Sequence, residues 1–594
     1  MKSKEHTLSP MLMAVLANRF DGVVREMTNT MLRTGRSTVI NSGRDFSCGI
    51  TTSENELFAT AEGLPVHTYG LDLQTKTMCE YHPDLKEGDA FLHNDPYSGC
   101  SHPADHTIIV PVFWECEHVF NVCAKAHQAD IGNSIPSTYH VMARDIYEEG
   151  SLIFPAIKIE SEGRLNDDVM RMCQRRIRVP DMWRGDFLAM LGSARTGEKG
   201  IHSVLDKYGI SIIKQFISEW FDYSERKMRD AIEGLPEKVI ERESLHDPMP
   251  PILSDGVPVR VKLDIKPKIG KIEIDLSMNI DNMENGLNMS QATSISTALA
   301  GVYNCLPADI PRNAGSYRCV DIKMRKGAAI GIPDFPHSCS VATTNLADRL
   351  VNNVQAAFAE LEGEYGLAEG GLGMGVGFSV ISGKDSRHSD HSYVNQLIIG
   401  QNGGPASSES DGWLTYGIPV VGGIMYRDSV EVDELHYPVH IKEIRLTQDD
   451  AGVGEYRGAP GAHVTLGPSD TPMTVVFGSD GQTNPPKGVK GGGDGNASTM
   501  HLVHTDGTME KIPCVGQIEL KQGMWICGRE SSGGGYGNPL NRDPKRVLSD
   551  VVEKYISIRC AREDYGVVFV GNVAEDTLRV DNDATTELRL SRMQ

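Results

Sequence analysis

Twelve cysteines are scattered from Cys48 to Cys560, and no two of them form a CxxC pair. That excludes a zinc or iron–sulfur cluster built on paired thiolates, and a chain of 594 residues has no need of a disulfide scaffold. Excess positive charge is also missing. The formal net charge is −22, which argues against a general nucleic-acid or anionic-membrane binder, since such proteins need a basic face to displace counterions. The opening stretch MKSKEHTLSPMLMAVLANRF contains no apolar run long enough for a signal peptide or a membrane span. It reads as a helix with Ser9 at N-cap and Pro10 at N1, and a cytoplasmic location is expected.

Two catalytic signatures are absent as well. No GxSxG elbow stands between a strand and a helix, so a nucleophilic serine hydrolase is not expected. The nearest approach to a phosphate loop is GSARTGEKG, 192–200, where Glu198 separates the glycine from the lysine and the preceding segment reads as helix. Nucleotide binding by this chain alone is therefore not expected. Cys48 and Cys100 lie near possible ligands, but proximity in sequence makes neither a nucleophile nor a metal ligand.

What is present fits a soluble globular protein, with 40% hydrophobic and 23% charged residues. Residues 9–34 carry apolar side chains at helical spacing, among them Leu16, Phe20, Val24, Met27 and Met31. Residues 37–60 alternate like strands. Thr107–Phe113 and His118–Ala124 read as two strands joined by WECE, and 210–232 as a long helix. The proline-rich segment 245–258 reads as a linker, followed by a hairpin through PKIG. Helices are expected at 290–304, 342–363 and 545–555, and short strands from 436 to 528. The expected architecture is α+β and multi-domain: a metal-bearing α/β region over 1–245, a central α+β region with Gly-rich loops over 258–435, and a β-rich region over 436–594.

Five of nineteen histidines fall between His93 and His127. His102 and Asp105 are three apart in a turn containing Pro103, and His127 ends the neighbouring strand. Asp45 lies in a third strand-like segment. Imidazole nitrogen and carboxylate oxygen suit zinc, manganese or iron(II), so Asp45, His102, Asp105 and His127 are the candidate ligands, through which any catalysis would run. Asp95, His106 and Asp130 are candidates for orienting them. His93 and His118 are expected to face solvent or backbone.

These residues sit within runs that resemble the hydantoinase B / 5-oxoprolinase family: GLPVHTYG (63–70), HNDPYSGCSHPADHTIIVPVF (93–113), AKAHQADIGNSIP (124–136), DDAGVGEYRGAPG (449–461) and SGGGYGNPLNRDP (532–544). The resemblance covers essentially the whole chain. It implies a divalent metal at the positions of Asp45, His102, Asp105 and His127, and it is what promotes Asp45 to a ligand. One departure is ADIGN in place of ADIGG, where Asn133 is expected to take a left-handed turn.

The resemblance further implies an ATP-binding, hydantoinase A-like partner subunit of actin-like fold, in an expected (αβ)2 hetero-oligomer. The expected reaction is ATP-dependent opening of a cyclic amide (hydantoin, oxoproline or lactam) through a phosphorylated intermediate. An ATP-dependent ketone carboxylase of the acetone or acetophenone type is the alternative, and a scaffold with a structural metal is the reading from another class. The dense glycines at 365–383, 403–423 and 533–537 are candidate walls or interfaces.

Overall fold

Helix α1, Pro10–Thr34, begins where its cap predicts: the Ser9 hydroxyl accepts the Leu12 N–H at 3.2 Å. A computed structural model describes residues 7–60 and 63–593. The chain divides into two compact units: 1–241 with 260–347 and 392–396, and 242–259 with 348–391 and 397–594. This differs from three consecutive regions. The segment read as a linker is built into the second unit, where the buried Asp247 carboxylate accepts the N–H groups of Gln482, Thr483 and Asn484.

The first unit is organised by one antiparallel sheet. Its strands are β1 (Phe46–Thr52), β2 (Leu57–Thr60), β3 (Ala90–His93), β4 (Asp105–Trp114), β5 (Glu117–His127), β6 (Ile157–Ser161) and β7 (Arg164–Leu165), in the order β2-β1-β5-β4-β3-β6-β7. The β4–β5 hairpin turns at Glu115 and Cys116, both at positive φ (48° and 69°), which matches the twist of the flanking strands. Period-two alternation then decides the two faces. Ile108, Val110, Val122, Ala124 and Ala126 join Phe20, Val24, Met27 and Met31 of α1 in one core, which the helices Pro180–Tyr208 and Ile210–Glu233 also enter. Asp105, Lys125 and His127 belong to the other alternation.

The 37–60 segment is only partly strand, because Thr38–Asn41 forms one helical turn before β1. The PKIG hairpin is present, with Lys266 paired to Lys271 and Gly270 left-handed at φ 60°. Helices occupy Gln291–Tyr303 and Leu346–Phe358.

The second unit is strand-rich, as expected for 436–528. Met473–Ser479 pairs with both Val380–Asp385 and Val515–Leu520, and a second sheet runs Val439–Leu446, Ala462–Pro468, Trp525–Arg529, Thr499–Val503, Met509–Lys511. Its C-terminal end holds three helices, Pro544–Val552, Ile558–Glu563 and Asn582–Met593, of which sequence periodicity pointed only to the first. Among the described residues no helix is long and apolar enough to cross a membrane.

The glycine tract at 533–537 packs within its own unit. Gly533 to Gly537 are buried, and backbone packs on backbone there: a Cβ on Gly533 would lie 1.9 Å from the Gly404 carbonyl oxygen, and one on Gly458 would lie 1.9 Å from that of Gly533. The segment 192–200 lies inside the helix Pro180–Tyr208, so its N–H groups are spent on the helix and form no anion cradle.

Candidate metal centre

The antiparallel register places Asp105 of β4 directly opposite His127 of β5, and the turn before β4 carries His102. One nitrogen from each histidine and one oxygen of Asp105 all lie within 4.8 Å of one another, and all three residues are buried. His102 Nε2 is 3.0 Å and His127 Nδ1 3.2 Å from Asp105 Oδ1. The far nitrogens are anchored. His102 Nδ1 donates to the Ser340 carbonyl at 3.0 Å, so Nε2 is the nitrogen that donates to Asp105 when the ring is protonated and carries the lone pair when it is neutral. His127 Nε2 meets the Thr138 hydroxyl at 3.1 Å. Tyr139 stacks on both rings, with centroids 5.9 Å from His102 and 5.4 Å from His127.

Asp45 stands just before β1, after Arg44 at φ 56°, and its carbonyl accepts the His127 N–H at 3.0 Å. Its carboxylate belongs to the cluster through a residue that sequence spacing did not single out. His67 Nε2 lies 3.6 Å from Asp45 Oδ1 and 3.3 Å from Asp105 Oδ2, and Ser47 Oγ meets its Nδ1 at 3.3 Å. His67 sits in a one-turn helix, Pro65–Thr68, inside the GLPVHTYG run. The run was visible in the sequence, but no second ligand at metal spacing marked the histidine.

Burial alone would raise Asp105, yet the charges of His102 and His67 and the hydrogen bonds from His102 and His127 hold it well below the usual carboxylate range. Burial alone would lower His102, and the Asp105 carboxylate raises it instead. Tyr139, desolvated and facing Asp45 and Asp105, stays a neutral phenol.

The residues expected to orient the ligands do other things. His106, next to Asp105, alternates into the helix-side core, where Trp183 Nε1 donates to its Nδ1 at 3.4 Å and burial pushes its pKa down to about 3. Asp95 caps the turn that follows it, accepting from Tyr97 N–H at 3.0 Å and Ser98 Oγ at 2.5 Å. Asp130 pairs with Arg178 at 3.1 Å and accepts the Gly132 N–H at 3.0 Å. Gly132, not Asn133, takes the left-handed position, at φ 78°. His93 is fully buried, with Nδ1 accepting the Ala156 N–H at 2.9 Å, and His118 bonds to Asn121. Burial pushes the Cys48 and Cys100 thiols up to about 11, so neither is a thiolate at neutral pH.

A mixed N/O donor set, buried and with its outer nitrogens anchored, fits a divalent transition metal. The Hydantoinase B/oxoprolinase family model matches residues 9–539. The chain belongs to that family. It is 28% identical over 573 residues to the beta subunit of the caprolactamase of Pseudomonas jessenii, covering 96% of this chain and 97% of the relative. It is 26% identical to a putative D-/L-hydantoinase subunit from Pseudomonas sp. (strain NS671), covering 99% and 100%. The 5-oxoprolinase of Dictyostelium discoideum is 23% identical over 90% of this chain but only 41% of its own length.

Among solved structures, the ATP-dependent caprolactamase of Pseudomonas jessenii superposes with a TM-score of 0.87 at 28% identity, covering 98% of this chain and 100% of that chain. An acetone carboxylase gives 0.87 at 18% identity over 98% and 83%, a likeness of fold alone. The family members named here are enzymes or enzyme subunits.

Proposed function

We propose that this chain is the metal-carrying subunit of an ATP-dependent enzyme that opens a cyclic amide. The observation that carries this reading is the buried His102–Asp105–His127 cluster in a chain that aligns end to end with a caprolactamase subunit. These three residues hold the ion, and Asp45 adjoins it through His67. A divalent ion bound there supplies Lewis acidity toward a carbonyl or phosphoryl oxygen and makes hydroxide accessible near neutral pH.

The chain's own residues supply the rest. The Ser340 and Thr138 contacts keep one nitrogen of each histidine aimed at the centre. The Tyr139 ring closes one side to water. Asp45 is 9% exposed against at most 2% for the other members of the cluster. An amide resists addition because its resonance must be broken, so activation by ATP, with phosphate placed on the amide oxygen, is assigned to a partner subunit. Support for a partner comes from the 192–200 segment being helix and from the 5-oxoprolinase, whose chain is more than twice the matched length.

Hydrolysis is preferred to ketone carboxylation because the lactam- and hydantoin-acting relatives align at higher identity than the acetone carboxylase. The test is co-purification with an ATP-binding, hydantoinase A-like partner, then phosphate release against caprolactam, hydantoins, 5-oxoproline, and ketones with bicarbonate. Lactam- or hydantoin-dependent ATP turnover needing both subunits is expected. Turnover only with a ketone plus bicarbonate would replace the hydrolase reading.

A further inference from the structure

Lys125 is a lysine with 2% exposure two residues before the end of β5, on the site side of the sheet. Taking an ammonium out of water is costly unless it is paired. Its Nζ lies 2.5 Å from Ser101 Oγ and 3.7 Å from Asp105 Oδ2. Ser101 Oγ in turn donates a short hydrogen bond to Asp105 Oδ2. We propose that Lys125 and Ser101 are positioning residues that fix the rotation of the Asp105 carboxylate, committing Oδ2 to the relay and leaving Oδ1 to the metal. This rests on the metal reading above.

The direction of the relay follows from the donor inventory. An ammonium can only donate, so the Ser101 oxygen accepts from Lys125 and must point its own hydrogen elsewhere. The acceptor within reach is Asp105 Oδ2, where His67 Nε2 also approaches at 3.3 Å. Ser101 cannot drift, because Thr293 Oγ1 donates to its carbonyl at 3.1 Å and the residue is fully buried. With Oδ2 held on one side, Oδ1 faces His102 Nε2 and His127 Nδ1, which is the set that converges.

Charge and orientation pull in opposite directions. A cation 3.7 Å from a ligand carboxylate repels a divalent ion, so deleting the lysine charge alone would tighten metal binding. Losing the relay frees the carboxylate to rotate, which weakens it. Ser101→Ala separates the two, since it breaks the relay without changing any charge.

The experiment measures zinc(II) affinity by competition with a chromogenic chelator, on the purified chain and on its complex, for wild type, Ser101→Ala, Lys125→Met and the double variant. Zinc is the probe because such sites bind it more tightly than manganese or iron(II). Ser101→Ala is expected to weaken binding about 10–100-fold, the usual effect of losing a ligand's supporting partner. Lys125→Met is expected to weaken it in the Ser101 background but not further in the Ser101→Ala background, a non-additivity that general loosening of the fold would not produce. Unchanged affinity in Ser101→Ala, or strictly additive effects, overturns the relay while leaving the metal site standing. A wild-type chain that takes up no zinc overturns both. Should Lys125→Met fail to fold, the Ser101→Ala result alone decides.

Discussion

Asp105 and His127 face each other across β4 and β5, with Oδ1 and Nδ1 3.2 Å apart. Directly opposed side chains on one face of an antiparallel pair start only about 5 Å apart at Cβ, so the sheet itself delivers two ligands to one point. The third, His102, arrives from the turn that leads into β4. Both strands are locked into a seven-stranded sheet with a helix-covered core on its other side, and the centre is held by that core.

It follows that His102→Ala and His127→Ala will each lose metal while keeping the fold. Elemental analysis should find near-stoichiometric divalent metal in the wild-type chain and little in either variant, with far-UV circular dichroism unchanged. Full metal content in both variants would sink the assignment.

His67 bridges Asp45 and Asp105 without belonging to the converging set, so its loss should act differently. His67→Ala is expected to retain metal at saturating concentration and to lose about 10–100-fold in turnover of the complex. A variant that instead loses its metal outright would make His67 a ligand.

The contrast between His67 and His102 explains how far the sequence could be read. His102 and Asp105 are close in sequence and His127 ends the paired strand, so alternation and one hairpin were enough to bring them together. His67 reaches the site through a one-turn helix, and only the assembled sheet brings that turn over Asp105. His106, expected to orient the ligands from the position beside Asp105, does not, because a shift of one residue along a strand sends a side chain to the opposite face. At 533–537 glycine density marked close backbone approach, but the sequence could not say that the neighbouring backbone would come from 404 and 458.

That backbone packing gives a stability prediction. Gly533 lies against Gly404, whose carbonyl a new Cβ would meet at 1.9 Å, and rigid main chain cannot yield as a side-chain tip can. Gly533→Ala should destabilise by at least about 1–3 kcal/mol, read as a lower urea midpoint. An unchanged midpoint would mean that the tract is looser than its packing implies.

ATP should not bind the isolated chain. The nearest approach to a phosphate loop, 192–200, is helical, with its N–H groups already bonded. Titration calorimetry at micromolar protein is expected to give no heat of ATP binding without the partner. Micromolar affinity would return nucleotide chemistry to this subunit.

The second unit carries an acid-favouring core that should make stability fall toward alkaline pH. Asp433 is fully buried, and neither of its carboxylate oxygens has a hydrogen-bond partner among the described residues. Burial first, and then the charge of Asp428, pushes its pKa up from 3.8 to about 8. Burial likewise raises Asp428, Asp348, Asp450 and Glu530 to about 7. For a carboxyl raised in the folded state, the unfolded chain has released the proton by about pH 4–5 while the folded chain still holds it. The stability it contributes is therefore fully present below the unfolded pKa and is lost as pH rises through the folded one. Wild type should melt highest near pH 5 and progressively lower toward pH 8. Asp433→Asn keeps the shape and removes the titration, so it should be nearly neutral at pH 5 and stabilising by about 1–3 kcal/mol at pH 8, the scale of an unpaired buried polar group. The other four carboxyls still titrate, so the slope should shrink without vanishing. Melting curves of both proteins at pH 5, 6.5 and 8 decide it, and parallel losses would show that Asp433 holds no proton in the folded chain.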